Sequence, residues 1–208
     1  MLTIDNNDIT FDDFINVTEN EYKVELGSNA KLRIVKSRQV IDKLIETNTI
    51  SYGVTTGFGS LSNVNIPLSD INKLQYNLIE SSAVGVGEPA PRNIILGMYL
   101  LRLKCITNGN SGVRLSTVNK IIEAINKQFL PLVPIQGTLG ASGDLCTLSH
   151  LFLGLLGKGQ AYDSETKSYV DAKIILDKLE IEPLTLEAKE GLGLINGTQF
   201  ITSYMAHT

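Results

Sequence analysis

The sequence predicts a mainly α-helical protein with a few short strands. Three observations carry that prediction. Apolar residues recur three and four apart through most of the chain, strand-like alternation is confined to residues 22–27, and Gly, Pro, Asn and Ser fall where helices start or stop. In chain order, "YKVELG" (22–27) reads as a short strand and "RQVIDKLIETN" (38–48) as a helix ending near an asparagine. A loop rich in Gly, Thr and Ser covers 51–65, after which Ser69 is placed to cap a helix whose Ile71, Leu74, Leu78 and Ile79 share one face. Pro91 suits the first turn of "RNIILGMYLLRLKCITNG", and Gly109 suits its end. Ser111 is placed to cap the next helix, in which Val118, Ile121, Ile122 and Ile125 repeat at helical spacing. Residues 144–156 read as an apolar helix, and "VDAKIILDKLEI" and "TLEAKEGLGLINGTQFITSYMA" complete the helical set. In the last of these, Phe200, Ile201, Tyr204 and Met205 form an apolar face with no sequence after it to cover it, so the chain reads as cut.

At 208 residues the chain is long enough for one full core or two small ones. Apolar residues make up 43% and charged residues 19%, the balance of a soluble globular protein. A net charge of -4 argues against nucleic acid or an acidic membrane surface as partner. Two cysteines (Cys105, Cys146) and two histidines (His150, His207), without paired spacing, give neither a zinc site nor a disulfide framework. No signal-peptide pattern opens the sequence and no apolar run is long enough to span a bilayer, so the expectation is a cytoplasmic protein.

The stretch "GTLGASGDL" (137–145) sets small residues in a cluster just before an apolar helix. One reading is a turn and helix cap, with Ser142 capping and Asp144 in the first turn facing the helix dipole. The other is chemical. In a tight bend the Gly143 nitrogen can attack the Ala141 carbonyl carbon and close a five-membered ring, and loss of water then turns Ser142 into a dehydroalanine. Gly143 has no Cβ to obstruct that bend, Ser142 carries the leaving hydroxyl, and Ala141 is small enough to be enclosed.

"GASGDL" (140–145) resembles the signature of the histidine and aromatic amino-acid ammonia-lyases, which form 4-methylideneimidazole-5-one (MIO) from that tripeptide. "YGVTTGFG" (52–59), "LQYNLIESSAVGVG" (74–87), "GNSGVR" (109–114) and "LEAKEGLGLINGTQ" (186–199) resemble further blocks of that family in the same order. The likeness runs from about residue 30 to the end and is closest to the histidine-type members. It implies a fumarase/aspartase-like helical fold, of which residues 1–208 form the N-terminal, MIO-bearing domain without the helical bundle that follows in the family. It implies a small amino-acid substrate, elimination of ammonia, and a homotetramer whose sites draw on several subunits.

Carried over position by position, the resemblance assigns Ala141, Ser142 and Gly143 to the MIO, an electrophile toward the substrate amine. Tyr52 matches the tyrosine that takes the β-proton or handles the amine, and Asn196 the asparagine beside the MIO. Gly59, Ser81 and Ser82 match substrate-lining positions. Read without the resemblance, Tyr52 is a loop tyrosine packing on Phe58, and Asn196 is an Asn-Gly helix breaker. Asp144 either holds the precursor bend or serves as a first-turn acid. His150 reads as a core or interface histidine, and Cys146 as a core thiol.

Two departures stand out. Histidine-type members carry His where this chain has Ser82, and the family usually has Ala-Pro where this chain has Cys146-Thr147. The same electrophile also serves aminomutases, which re-add the amine at the β-carbon. An inactive, truncated relative is the third reading.

Overall fold

The computed structural model describes every residue except Ser60, Leu61, Asn63, Asn65 and Leu68, so part of the predicted 51–65 loop lies outside the described residues. Among the described residues the elements, in order, are β1 (Leu2–Ile4), α1 (Phe11–Thr18), β2 (Val24–Leu26), α2 (Ser28–Glu46), α3 (Ile71–Ser82), β3 (Val86–Pro89), α4 (Arg92–Thr107), α5 (Leu115–Asn126), β4 (Pro134–Gln136), α6 (Cys146–Leu155), β5 (Gln160–Asp163), β6 (Ser168–Asp171), α7 (Ala172–Lys178), α8 (Glu190–Ile195) and α9 (Gln199–Ala206). The strands form three two-stranded pairs: β1 with β2 in parallel, and β3 with β4 and β5 with β6 antiparallel. The fold is mainly helical, as the periodicity predicts.

The centre of the core is α4. Ile94 through Leu100 are all buried, with Arg102, Leu103, Ile106 and Thr107 after them, so the first half of the helix is closed on every side, while Cys105 near its end is exposed. A helix apolar on all sides has to be surrounded, and α1, α2, α5 and α9 do so. Close approach is built in. A Cβ at Gly97 would meet the ring of Phe14 on α1 and the hydroxyl of Ser203 on α9, whose Oγ donates to the Ile94 carbonyl at 3.0 Å.

Several expected boundaries are corrected. The helix expected at 38–48 begins ten residues earlier, at Ser28. Its outward face carries Leu32 and Val40, 68% and 58% exposed, and these blur the apolar stripe formed by Ala30, Ile34 and Ile41. Ser69 does not cap α3: Asp70 precedes it, without a side-chain cap bond. Ser111 does not cap α5 either, because 111–114 is an extended approach ending at Arg114. Ser142 and Asp144 lie outside α6, which begins at Cys146. On the last helix, Phe200 is buried against the core while Ile201 and Met205 are exposed, so the predicted apolar face is only partly covered.

The missing cap of α5 is supplied from far along the chain. The fully buried carboxylate of Glu190 accepts from the Arg114 backbone N–H at 2.9 Å and the Thr117 hydroxyl at 2.7 Å, at the start of α5. Its other oxygen accepts Arg114 Nη2 at 2.7 Å, Arg114 Nε at 3.0 Å and the Glu187 N–H at 2.9 Å. Glu187 in turn pairs with Arg114 at 2.6 Å and with Arg38 of α2 at 3.0 Å. Burial acts to lower the Arg114 pKa, but the two carboxylates outweigh it and hold the guanidinium above its ordinary value. Removing one partner of such a pair leaves a buried charge uncompensated. Glu190→Ala is therefore expected to destabilise the chain by roughly 3–5 kcal/mol, read as the shift in its urea unfolding curve.

Candidate active site

The candidate tripeptide, residues 141–143, lies in an exposed loop between β4 and α6. Its backbone is bent into a turn. The Asp144 N–H donates to the Ala141 carbonyl at 3.1 Å, closing a turn over Ser142 and Gly143. Gly140 enters the turn at φ +79°, in the left-handed region, and the space around the Gly143 Cα is open. Asp144 accepts the Leu139 N–H through its carboxylate and so ties the two ends of the loop together. Of the two readings of Asp144, the structure favours the one that holds the bend. The three residues thus suit the ring precursor.

Strand pairing brings the end of α3 toward this loop. Ser81 and Ser82 end α3, and the chain runs directly into β3, which pairs with β4 in the register Val86 with Gln136 and Pro89 with Pro134. The turn before β3 is pinned to α6, where His150 Nε2 accepts the Gly85 N–H at 2.9 Å. Gly85 and Gly137 also close on the buried Cys146. A Cβ at Gly137 would stand 2.7 Å from its sulfur, and one at Gly85 3.1 Å. Burial pushes the Cys146 thiol up, which suits a packing group and not a nucleophile.

Tyr52 is 53% exposed and packs edge-to-face on Phe58 with ring centroids 6.1 Å apart. Its hydroxyl accepts the Gly59 N–H at 3.4 Å, so these two site residues are brought together. The Phe58 contact expected of an ordinary loop tyrosine is present, and it leaves the phenol facing solvent. Gly53, at φ +68°, is close enough to α8 that a Cβ there would stand 3.0 Å from Leu192.

Helix α8 is the shared support. Its Gly191 lies against the backbone of Gln75 on α3, whose side-chain carbonyl accepts the Gly191 N–H at 3.0 Å. Gly193 lies against Val113, and Leu192 against the Tyr52 loop. The helix ends at Asn196, which is exposed. Across the next turn, Ile201 of α9 packs under Gly140. The side chains of Tyr52, Ser142 and Asn196 share no hydrogen bond among the described residues; shared supports hold them on one frame.

Cavities of about 460 and 370 Å³ lie elsewhere, around Arg92, Leu130 and Tyr162, and no candidate residue lines them. Among the described residues no three metal-ligating side chains gather into a metal site, and no helix is long and apolar enough to cross a membrane.

With this geometry in hand, comparison with known proteins is direct. The profile of the family described as aromatic amino acid lyase matches residues 9–208. The chain belongs to that family. It is 43% identical over 202 residues to a histidine ammonia-lyase of Bos taurus, covering 97% of this chain and 31% of that protein. The crystal structure of histidine ammonia-lyase from Trypanosoma cruzi superposes with a TM-score of 0.90 at 40% identity, covering 99% of this chain and 39% of that one. A tyrosine aminomutase from Streptomyces globisporus superposes with a TM-score of 0.91 at 30% identity, covering 99% and 38%. The chain thus spans about a third of the curated relative's length.

Sequence reasoning missed the residues that tie the helices around the candidate positions together. Glu190, Glu187 and Arg114 lay within quoted blocks without an assigned role, and Arg38 and Arg102 lay outside them. His150 is the half-buried histidine expected, and its acceptor role requires a neutral ring. Burial lowers its pKa from the ordinary 6.5, so the unfolded chain takes up the proton first as pH falls. The stability it contributes is therefore complete above pH 6.5 and is lost as pH falls toward the depressed folded value. Urea midpoints between pH 7.5 and 5.5 should fall in the unsubstituted chain and fall less in His150→Gln, which keeps an acceptor but cannot titrate.

Proposed function

We propose that this chain carries the electrophile-forming half-site of an amino-acid ammonia-lyase of the histidine type, acting on an L-amino acid to release ammonia and an α,β-unsaturated acid. The observation that carries the reading is the Ala141–Asp144 turn, held by Asp144 and mounted beside α3, α8 and α9. Formed from Ala141-Ser142-Gly143, the MIO ring supplies an electrophile for the substrate amine.

The remaining work falls to this chain's own groups. Tyr52, presented to solvent by Phe58, takes the β-proton or handles the amine. Its phenol has to be polarised for that role, since an ordinary phenol titrates near about 10. The Asn196 amide offers hydrogen bonds beside the tripeptide, and Gly59, Ser81 and Ser82 line the substrate path. On this chain Tyr52, Ser81, Asn196 and the tripeptide are all exposed. In this reading the walls that exclude water come from further polypeptide, as another copy would supply in a homotetramer. A cytoplasmic location accords with this metabolic role.

Intact mass spectrometry tests the ring. Cyclisation removes two waters and adds an absorption beyond the tyrosine band, and Ser142→Ala should lack both while folding normally. A chain that keeps its full sequence mass shows that the ring has not closed. Lyase activity that survived Ser142→Ala in the completed enzyme would end the MIO assignment.

Likeness to the aminomutase structure favours one second reading, re-addition of the amine at the β-carbon. The products separate the two: a β-amino acid in one case, free ammonia in the other.

Ser82 bears on the substrate. A serine in the place of an imidazole removes a titratable hydrogen-bonding group, and sites built on specific hydrogen bonds discriminate strongly. Histidine should be turned over poorly by the completed enzyme, and Ser82→His should raise kcat/KM for histidine relative to tyrosine and phenylalanine. An unsubstituted enzyme efficient on histidine and indifferent to Ser82→His contradicts this reading of α3.

A further inference from the structure

Asn196 is followed by glycine, and in an Asn-Gly pair the side-chain amide is unusually open to attack by the next backbone nitrogen. A larger residue at 197 would have to displace the side chains packed against it. A Cβ there would collide with the Gln199 side-chain oxygen and stand 2.9 Å from Arg102 Nη1. The fold thus places a chemically fragile dipeptide at a proposed site residue.

Directly beneath lies Arg102 of α4, only 6% exposed, with no carboxylate in salt-bridge reach among the described residues. Its Nη1 donates to the Asn196 carbonyl at 2.7 Å and its Nη2 to the Gly193 carbonyl. Its buried Nε has no partner. Two carbonyl oxygens of α8 therefore carry the whole hydrogen-bonding of a buried cation. Burial lowers the Arg102 pKa, yet a guanidinium remains charged at any ordinary pH.

We propose that Arg102 is a positioning residue that fixes the Asn196–Gly197 peptide and, through the same bonds, keeps the Asn196 amide from cyclising. In that reaction the Gly197 nitrogen forms a bond to Asn196 Cγ, the Cγ–Nδ2 bond breaks, and ammonia leaves with the Gly197 proton. Water then opens the succinimide to aspartate or isoaspartate. Ring closure needs the Gly197 nitrogen swung to the Cβ side of the Cα–C bond. Asn196 sits at φ −84° and ψ 100°, which turns that nitrogen away from the side chain. Rotating the peptide to the reactive side would pull the Asn196 carbonyl off Arg102 and strip a buried charge of one of its two acceptors. No hydrogen bond holds the Gly197 N–H among the described residues, so the restraint acts through the carbonyl.

The positioning role rests on the assignment of Asn196 to the proposed site, whereas the cyclisation lock depends on the backbone alone. The experiment follows the lock. The 208-residue chain is aged at neutral pH, folded and in urea, and isoaspartate at Asn196 is followed by peptide mapping, with Asn108-Gly109 as an internal reference. In the folded chain Asn196 should convert on the order of tenfold more slowly than in urea. In Arg102→Lys and Arg102→Met, folded by circular dichroism, its rate should move toward the urea value while that of Asn108 stays put. Folded variants that age at the unsubstituted rate would overturn the proposal, as would equal rates in the folded and urea-unfolded wild type. If neither variant folds, the NMR spectrum of the unsubstituted chain decides. Slowly exchanging Arg102 guanidinium protons with contacts to the Gly197 Hα support the lock, and a rapidly exchanging guanidinium refutes it. Failure of the ring to form at Ser142 would not alter any of these readings.

Discussion

The structure depends on one buried carboxylate. Glu190 has no exposure to water and meets five donors, drawn from Arg114, Thr117 and Glu187. An ion taken out of water at that depth is tolerable only when every lone pair is engaged. The arrangement fixes the start of α5, the start of α8 and, through Glu187 and Arg38, the middle of α2 in one relative position. The residue before it, Lys189, adopts φ +74°, a left-handed conformation that is uncommon outside glycine. A local strain is accepted so that the carboxylate can face inward.

From that anchor the site follows by short steps. Helix α8 has glycine at every second position over 191–193, at a cost in helix propensity. Those positions admit Gln75 of α3 and the 111–113 segment to van der Waals contact, which fixes α3, the helix that ends at Ser81 and Ser82. The β3–β4 pair and the His150–Gly85 bond then bring the same end of α3 to the tripeptide loop. The reactive positions themselves carry few stabilising contacts. Rigid elements underneath hold them, as befits groups that must meet a substrate.

Much of this was legible in the sequence, and the rest was not for identifiable reasons. The helical class showed because α3 and α5 carry apolar residues at helical spacing, and α4 and α6 are deeply buried apolar runs. The tripeptide, the tyrosine loop and the Asn-Gly break showed because glycine and asparagine at fixed spacing leave a mark without any partner. Helix starts failed at Ser69, Ser111 and Ser142 because a local serine cap was assumed; α3 and α6 start without a side-chain cap bond, and for α5 the capping carboxylate lies 76 residues from Arg114. Arg102 went unnoticed for a related reason. Within an apolar helix pattern a single arginine looks like an interruption, and only the fold shows two carbonyl groups waiting for it.

The enclosure of α4 has a consequence for how the chain is made. Residues 92–107 leave the ribosome well before α9, the helix that covers much of their surface, has been synthesised. During that interval this deeply buried helix has α1 and α2 as companions, but one flank open to solvent. Contacts so distant in sequence are slow to form, and transient apolar surfaces are where nascent chains go astray. The same helix that anchors the finished core is thus the segment for which a growing polypeptide most needs a chaperone's shelter.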